Sequence, residues 1–304
     1  MTKAPNRTAN LDSVVSYYLN SPKFLRLSSK SQKEYEAQLK SVVSTVVEGG
    51  KQLGSMKVRY IKLRHISDAY EQWLNVGVRT ANMRVACLSA AWNYAMQKEV
   101  VDHNPIKLLD RVNNKPRRVK WERDQVKLFL STAYGDFKWR SIGLIVHMSY
   151  EWGQRVGDMR LLKWSNLDLD AQRLDLTQSK RNADVHLPIS NNLTKMLLQQ
   201  REDFGFQQYV APRTKPQAGS YTPYTLEEVS GLLNQVKEHA GLPDHLTAMD
   251  LRRTAITEML EGGVDMAGIM QVSGHRNPNS VKPYMLNTFS GASKALSARG
   301  GDDD

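Results

Sequence analysis

Residues 249–284 read MDLRRTAITEMLEGGVDMAGIMQVSGHRNPNSVKPY, and they carry the most informative pattern in the chain. Apolar residues recur there at helical spacing over residues 253–261 and again over 265–272, which predicts two consecutive helices. Arg252 and Arg253 stand side by side at the beginning of the first helix. An arginine in that position, taken alone, is explained by pairing with a nearby carboxylate. Arg253 is expected to be a surface residue or to pair beside Arg252.

Other isolated polar residues stand in equally short contexts. His275 follows Gly274 at the end of the second predicted helix, and Tyr284 lies nine residues further along the chain. Arg155 stands at the head of an earlier helix, and Lys180 stands in the turn of a predicted hairpin. Each has an ordinary structural explanation when it is taken alone: pairing with a nearby acid for the arginine, a helix cap or a partly buried core position for the histidine, core packing for the tyrosine, and a solvated turn for the lysine.

The hairpin that contains the lysine consists of two short β segments, predicted at residues 173–178 and 184–189. A helix is expected over 155–162, and Asp168 and Asp170 are expected in a β-turn after it. The remaining helices of this part of the chain are predicted at residues 122–133, 139–150 and 192–200, and after a capping box formed by Thr225 and Glu228.

The front of the chain, residues 11–106, reads as an all-helical unit. Ser31 with Glu34 three residues later forms a capping box, which predicts the start of a helix there. Ser67 and Thr80 are expected to cap two further helices, because each precedes apolar residues at helical spacing.

The order arginine, lysine, Asp-Leu-Arg-Arg-Thr, Gly-His and then tyrosine resembles that of the tyrosine recombinases, or phage-type integrases. The resemblance covers nearly the whole chain and includes the spacing from Gly-His to the tyrosine. It implies a mainly α-helical fold with a small β-sheet, in which a helical core-binding domain precedes a mixed α/β catalytic domain. The predicted divisions are a flexible tail at 1–10, the core-binding domain at 11–108, a basic linker at 109–119, the catalytic domain at 120–298 and a disordered acidic tail at 299–304.

The resemblance implies a role for each of five residues. Tyr284 attacks a DNA phosphodiester, which forms a 3′-phosphotyrosine link and releases a 5′-hydroxyl. Arg155 and Arg252 grip the non-bridging phosphate oxygens, since a planar guanidinium meets two oxygens at once and stays charged. Lys180 protonates the departing 5′-oxygen, and His275 hydrogen-bonds the phosphate.

One position departs from the family pattern. The family usually carries a histidine three residues before the second arginine, and here that residue is Met249, which takes no useful part in proton transfer. His245 lies four positions too early to replace it. Asp158 does match the acidic residue that supports the turn of the first arginine. The departure is compatible with slower activation of the nucleophile, with another group in that role, or with a DNA-binding remnant, and the surviving elements favour an active enzyme.

The chain is strongly basic, with 42 lysines and arginines against 31 aspartates and glutamates, a net charge of +11 over 304 residues and a pI near 9.6. Such an excess is typical of proteins that bind a polyanion, because lysine and arginine replace counterions along a phosphate backbone. A solubilising surface charge is the alternative. The candidate DNA contacts fall in two basic stretches: Lys57, Arg59, Lys62 and Arg64 in the first, and Lys115, Arg117, Arg118 and Lys120 in the second.

Several other classes of protein are excluded or disfavoured. The single cysteine, Cys87, excludes an intrachain disulfide framework and a cysteine-rich zinc site. The chain contains no phosphate-binding P-loop motif and its histidines lack metal-ligand spacing, so no metal, nucleotide or other cofactor is expected. A two-metal interpretation of Asp168 and Asp170 is weaker than the β-turn. The start lacks an apolar signal core and the apolar stretch at 143–148 is too short to span a bilayer, which predicts no membrane partner and the cytoplasm of a bacterium or phage-infected host.

The same resemblance implies the partners. Four copies of the chain are expected to assemble on two double-stranded DNA attachment sites through a Holliday junction, with accessory directionality or DNA-bending proteins as further partners. Residues 286–299 would be a tail that docks on a neighbour, with Phe289 and Leu296 as its anchors or else packed in cis. No separate arm-binding domain is expected before residue 11.

Two other functions stay open at this point. One is a catalytically impaired DNA-binding protein of the same fold, and the other is a related tyrosine topoisomerase or telomere resolvase. The decisive expectation concerns geometry: Arg155, Lys180, Arg252 and His275 should surround one positively charged pocket of phosphate size, from which Tyr284 can lie apart.

Overall fold

The computed structural model describes residues 5–6, 8–47, 49–114, 117–180, 182–285, 292–293 and 296–297. The chain divides into two compact units, Met1–Lys115 and Pro116–Asp304, each with its own hydrophobic core. Helices predominate in the described residues of both units, and small antiparallel sheets accompany them. The predicted fold class is therefore confirmed. Across the described ranges, every helix is too short or too polar to span a bilayer.

The first unit is built around one long helix. Its helices are α1 (Leu11–Leu19), α2 (Pro22–Leu25), α3 (Ser29–Val43), α4 (Leu63–Leu74) and α5 (Val78–Gln97). Helix α5 packs against α1, α3 and α4 and buries Val85, Leu88 and Trp92. Burying each such side chain contributes on the order of 1.5–3 kcal/mol, so this apolar stripe holds the unit together.

Three of the helix starts predicted for the first unit were wrong. Helix α3 is capped by Ser28, whose hydroxyl accepts a hydrogen bond from the Ser31 amide at 3.3 Å, so Ser31 lies inside the helix. Ser67 and Thr80 lie inside α4 and α5 in the same way. A serine or threonine caps a helix only where its own backbone is still outside the helical region, and at these three positions the chain is already helical.

The prediction that the first unit is all-helical was also wrong. Helix α3 ends at Val43, and two short strands follow it, β1 (Val46–Val47) and β2 (Lys51–Gln52), which pair antiparallel. Gly49 and Gly50 both adopt a positive φ, at 85° and 70°. Two consecutive residues with positive φ turn the chain back on itself and favour glycine, which forms the ribbon.

The second unit surrounds a buried helix. Its helices are α6 (Arg123–Tyr134), α7 (Phe137–Glu151), α8 (Val156–Met159), α9 (Asn191–Phe204), α10 (Leu226–His239), α11 (Ala248–Glu261) and α12 (Met266–Ser273). Helix α7 is buried throughout residues 139–149 and packs against α6, α9, α10 and α11. The predicted capping box at α10 is confirmed: Thr225 Oγ1 accepts from the Glu228 amide at 3.1 Å, and Glu228 Oε2 accepts from the Thr225 amide at 2.7 Å.

The predicted hairpin is confirmed, and it belongs to a three-stranded sheet. Strands β3 (Leu167–Asp168), β4 (Arg173–Thr177) and β5 (Asp184–Pro188) pair antiparallel in that order. The helix expected to continue to residue 162 ends at Met159, and Asp168 lies in a strand that the sequence did not predict. A strand of two residues shows no alternation of its own, so its pairing with β4 was not visible in the pattern.

Candidate active site

Arg252 occupies the centre of a polar cluster in the second turn of α11, which begins at Ala248, five residues before the predicted start. Its side chain is buried, with Nη1 donating to the Gly153 carbonyl at 2.9 Å and Nη2 donating to the Ser273 carbonyl at 2.8 Å. These two carbonyls lie just after α7 and at the end of α12. The guanidinium therefore ties three helices together and is fixed in position by groups that are themselves part of the fold.

His275 lies against the same guanidinium. Its Nε2 is 3.2 Å from Arg252 Nη2, and its Nδ1 is 2.6 Å from the Ser273 hydroxyl oxygen. A guanidinium can only donate hydrogen bonds, so Nε2 accepts in this arrangement and the ring proton lies on Nδ1, facing the serine oxygen. Ser273 thus holds both groups. Its hydroxyl orients the imidazole of His275, and its backbone carbonyl orients the guanidinium of Arg252.

Arg155 precedes α8 and approaches the cluster from the other side. Its Nη1 donates to Gln178 Oε1 at 3.0 Å and lies 3.7 Å from Asp158 Oδ2. The carboxyl group of Asp158 is almost fully buried, and its other oxygen, Oδ1, accepts a hydrogen bond from the Ser179 amide at 3.2 Å. Asp158 therefore supports both the first arginine and the hairpin turn, which extends the supporting role expected for it.

Gln178 connects the two arginines, and it was not predicted from the sequence. Its fully buried carboxamide accepts from Arg155 and donates from Nε2 to the Ser273 carbonyl at 2.9 Å, the same oxygen that binds Arg252. A signal was present in the sequence. Gln178 continues the alternation of Leu174 and Leu176 on β4, and a polar residue on the inward face of a strand is retained only where it finds partners.

Lys180 lies two residues beyond this glutamine, exposed in the hairpin turn. The turn is anchored on one side by Asp158, through Ser179, and on the other by Arg276, whose Nη2 donates to the Asn182 carbonyl at 2.6 Å. The structure therefore joins Arg252 and His275 by direct contact, and it joins Arg155 to them through Gln178 and Ser273. It places the lysine on a turn held beside them.

Tyr284 lies next to this cluster. It ends a single 3₁₀ turn, Lys282–Tyr284, and the centre of its half-buried ring is 5.7 Å from the centre of the His275 ring. The sequence allowed the tyrosine to lie apart from the cationic group. The structure instead packs it against the histidine, within the same unit of the same chain.

Met249 stands at the position where the family usually has histidine, and its side chain is 75% exposed near the start of α11. The next residue, Asp250, is buried and receives two 2.8 Å hydrogen bonds, from Nε and Nη2 of Arg117. Burial raises the pKa of Asp250, but hydrogen bonds from Arg117 and Thr247 outweigh it and hold that pKa below its usual value. Arg117 also donates to the His245 carbonyl, so this predicted DNA contact secures the start of α11.

The other candidate DNA contacts differ in their surroundings. Lys57, Arg59, Lys62 and Arg64 are exposed in the first unit, and Arg118 is exposed in the second. Lys120 is half-buried and pairs with Glu261 at 3.6 Å. Lys115 lies outside the described residues, as does Phe289 of the predicted tail, whereas Leu296 is 60% exposed. In the part of the chain that the structure describes, no group of three histidine, cysteine or carboxylate side chains is placed to hold a metal ion.

Gly274 is required where the cluster is tightest. It has a φ of 67°, and a Cβ atom there would lie 2.7 Å from Gln178 Nε2. Gly274→Ala is expected to destabilise the protein by about 2–4 kcal/mol, from the left-handed backbone and the overpacking together, and to displace Gln178 from Arg155. Thermal unfolding measures the loss of stability, and the DNA cleavage that the family resemblance implies measures the displacement of Gln178.

Gly263→Ala is the matched control, because Gly263 also has a positive φ, 87°, but a Cβ atom there would meet nothing within 4 Å. This variant should lose only the stability that the left-handed backbone costs an alanine, about 1–2 kcal/mol. Its rate of DNA cleavage should match that of the wild type. Equal losses of both properties in the two variants would show that the contact with Gln178 is unimportant.

The fold and the cluster together define a mainly helical protein with an arginine–histidine site and a tyrosine at its edge. The chain belongs to the phage integrase family, whose model it matches over residues 121–290, more than half of its length. The family prediction made from the order of the site residues is confirmed.

Curated relatives agree with this membership. The chain is 24% identical over 242 residues to the tyrosine recombinase XerC of Bacillus pumilus, in an alignment that covers 76% of this chain and 77% of that protein. It is also 24% identical over 207 residues to a shufflon-specific DNA recombinase of Escherichia coli, covering 67% of this chain and 50% of the relative.

Solved structures share the fold. A lambda integrase dimer bound to a core site superposes with a TM-score of 0.75 at 17% identity, covering 92% of this chain and 96% of the integrase fragment. The Tn1549 transposon integrase in complex with a circular intermediate DNA gives a TM-score of 0.75 at 15% identity, covering 95% and 99% of the two chains.

Proposed function

We propose that this protein is a site-specific DNA recombinase of the phage or mobile-element integrase type, which cleaves and rejoins duplex DNA through a 3′-phosphotyrosine intermediate without metal or ATP. The observation that carries the proposal is the convergence of Arg155, Arg252 and His275 beside Tyr284. Membership of the phage integrase family supports the same conclusion.

The geometry suits phosphoryl transfer to a tyrosine. The Tyr284 oxygen attacks the phosphorus atom and its proton passes to solvent, while the bond from phosphorus to the 5′-oxygen breaks and Lys180 supplies the proton to that oxygen. In the rejoining step, the 5′-hydroxyl of the partner strand attacks the phosphotyrosine and gives its proton to Lys180, and the phenol leaves and takes a proton from solvent. Because one phosphate ester is exchanged for another, the reaction needs no external energy source.

The two arginines stabilise the charge that develops on the non-bridging oxygens. Donors fixed in advance are effective because they need no reorganisation during the reaction, and each is typically worth about 3–4 kcal/mol. Here Gly153, Ser273 and Gln178 fix the two guanidinium groups before DNA arrives. In the proposed complex, His275 Nε2 exchanges its contact with Arg252 for one to a phosphate oxygen, which requires a proton on Nε2.

We further propose that the described unit Met1–Lys115 contains the core-binding domain and that its exposed cations, Lys57, Arg59, Lys62 and Arg64, contact the DNA backbone. Four copies would act on two attachment sites. In support, lambda integrase has been solved as a dimer on a core site and as a tetramer on a Holliday junction. Accessory directionality or DNA-bending proteins and a cytoplasmic location belong to the same proposal.

The proposal is tested by covalent capture. The purified protein is incubated with a pool of nicked duplexes that carry a randomised core, so that cleavage loses a short fragment and cannot be reversed. Denaturation removes DNA that is not covalently bound, and peptide mapping should find nucleotides attached to Tyr284. The captured sequences then supply the site for a plasmid assay with paired sites.

Each alternative function gives a distinct outcome. A folded protein that binds DNA but never forms an adduct would overturn the proposal in favour of a non-catalytic DNA-binding protein. An adduct combined with relaxation of a single-site plasmid, and no recombination between paired sites, would indicate a topoisomerase or telomere resolvase.

Met249→His is expected to accelerate adduct formation by about tenfold or more, since a positioned acid–base group contributes typically 10²–10⁴-fold. The side chain is exposed, so the change removes little packing. Single-turnover cleavage measured across pH should gain a dependence near the histidine pKa, about 6.5. Leu198→His, which adds an imidazole at an exposed position of α9, should change neither property. An unchanged rate and pH profile for the histidine variant would show that position 249 does not serve the nucleophile.

A further inference from the structure

We propose that Arg253 is a positioning residue for the nucleophile: its guanidinium holds the turn that carries Tyr284 against helix α11. The inference rests on the proposed function, in which this tyrosine attacks the DNA. The sequence favoured a surface residue or a partner of Arg252, and the structure gives the side chain a different set of contacts.

Two contacts of one guanidinium support this role. Arg253 Nη1 donates to the Pro283 carbonyl at 2.8 Å, and Cζ lies 5.2 Å from the centre of the Tyr284 ring. The first contact fixes the backbone directly before the tyrosine, and the second fixes the ring through a cation–π interaction, which operates within about 6 Å. Together they restrain both the position of the turn and the direction of the side chain.

The turn depends on contacts of this kind because it has little internal structure. It is a single 3₁₀ turn of three residues, Lys282–Tyr284, closed by hydrogen bonds from the Tyr284 amide to Val281 and from the Met285 amide to Lys282. Short 3₁₀ segments have poorer hydrogen-bond geometry than α-helices. The orientation of this turn is therefore set by the surface on which it lies.

That surface is α11 and its neighbour α12. Val281 is buried in a small apolar cluster with Ile256 of α11 and Ile269 of α12. At the other end of the turn, Thr257 Oγ1 donates to the Tyr284 carbonyl at 3.3 Å. These contacts fix the two ends of the segment, and the Arg253 guanidinium acts between them, on the peptide and the ring that must face the phosphate.

The adjacent arginines of α11 thus have separate tasks. Successive residues on an α-helix point about 100° apart. Arg252 points inward to Ser273 and His275, whereas Arg253 reaches Pro283 and Tyr284. Because both are fixed to one helix, the distance between the group that grips the phosphate and the segment that carries the nucleophile is set by a rigid element.

The first test compares Arg253→Ala, Arg253→Lys and Arg201→Ala in single-turnover cleavage of the captured site. Arg253→Ala should slow adduct formation by about tenfold or more, where tenfold corresponds to about 1.4 kcal/mol, with unchanged DNA affinity and thermal stability. Arg253→Lys should recover part of the rate, because lysine keeps a donor and a charge for the ring. Arg201→Ala, which removes an exposed arginine of α9, should match the wild type.

The second test separates positioning of the tyrosine from binding of the phosphate. An oligonucleotide ending in a 3′-p-nitrophenyl phosphate is joined to a strand with a free 5′-hydroxyl; the hydroxyl oxygen attacks phosphorus, p-nitrophenolate leaves, and the hydroxyl proton passes to solvent. This step needs the phosphate grip but not the phenol. Tyr284→Phe and the double variant Tyr284→Phe/Arg253→Ala should therefore join the strands at the same rate.

The possible outcomes are distinct. If Arg253→Ala cleaves like the wild type, or if the double variant also loses the tyrosine-independent joining, Arg253 does not act through the nucleophile and the inference is overturned. If the wild type itself forms no adduct, the proposed function has failed rather than the role of Arg253. If Arg253→Ala lowers the free energy of unfolding by as much as it raises the activation free energy of cleavage, and Arg253→Lys does not recover the rate, the role of Arg253 is merely structural.

Discussion

Tyr284→Phe is expected to abolish covalent attachment of the protein to DNA completely, while DNA affinity and thermal stability stay at wild-type levels. The phenol oxygen forms the bond to phosphorus, and phenylalanine has no atom that can replace it. The ring itself remains, so its contacts with His275 and with the Arg253 guanidinium are kept. The change therefore removes the chemistry and leaves the packing.

The adduct assay on the nicked substrate measures this directly, with gel retardation of the same duplex as the measure of binding. Tyr221→Phe is the matched control: Tyr221 packs its ring against Phe204 and Phe206, so loss of its hydroxyl should leave cleavage unchanged. Adduct formation that survives in the Tyr284 variant would assign the nucleophile to another residue and remove the basis of the mechanism.

The order of the polar residues along the chain was enough to predict the family and, through it, the fold class, and the local β pattern predicted the hairpin that carries Lys180. This success has a physical basis. Arg155, Lys180 and His275 each stand next to a turn or a helix end, where the local pattern shows which element carries them. The capping box of α10 was predicted for the same reason, because Thr225 and Glu228 satisfy each other within four residues.

Contacts between elements distant in sequence were not predictable in this way. Gln178 and Ser273 are 95 residues apart, and their hydrogen bond exists only because the β4–β5 hairpin and α12 meet in the folded unit. Arg253 and Pro283 are joined across 30 residues for a similar reason. The helix start predicted at Ser31 was wrong for a different reason. The local sequence there is compatible with a cap, but the residue that caps the helix is Ser28, three residues earlier.

Arg252→Ala is expected to reduce single-turnover cleavage by about 10²–10³-fold, the effect of removing one fixed donor from a site where charge develops, equivalent to roughly 2.7–4 kcal/mol. The loss should lie in the rate of the chemical step, because DNA affinity is distributed over many phosphate contacts. Arg252 differs in this respect from the exposed cations of the first unit. Their removal should weaken binding and its salt dependence but leave the rate on bound DNA unchanged.

The alanine change also removes partners from the Gly153 and Ser273 carbonyls, so a loss of stability must be separated from a loss of catalysis. Two measurements do this. Arg252→Lys keeps a positive charge but cannot present two donors in the same plane, so it should stay near the alanine variant in rate while recovering stability. Added guanidinium ion should partly restore cleavage by Arg252→Ala and leave Tyr284→Phe inactive, since it can replace a phosphate donor and not a nucleophile. If the lysine variant cleaves at the wild-type rate, a simple positive charge suffices, and the fixed geometry set by Gly153, Ser273 and Gln178 is not what accelerates the reaction.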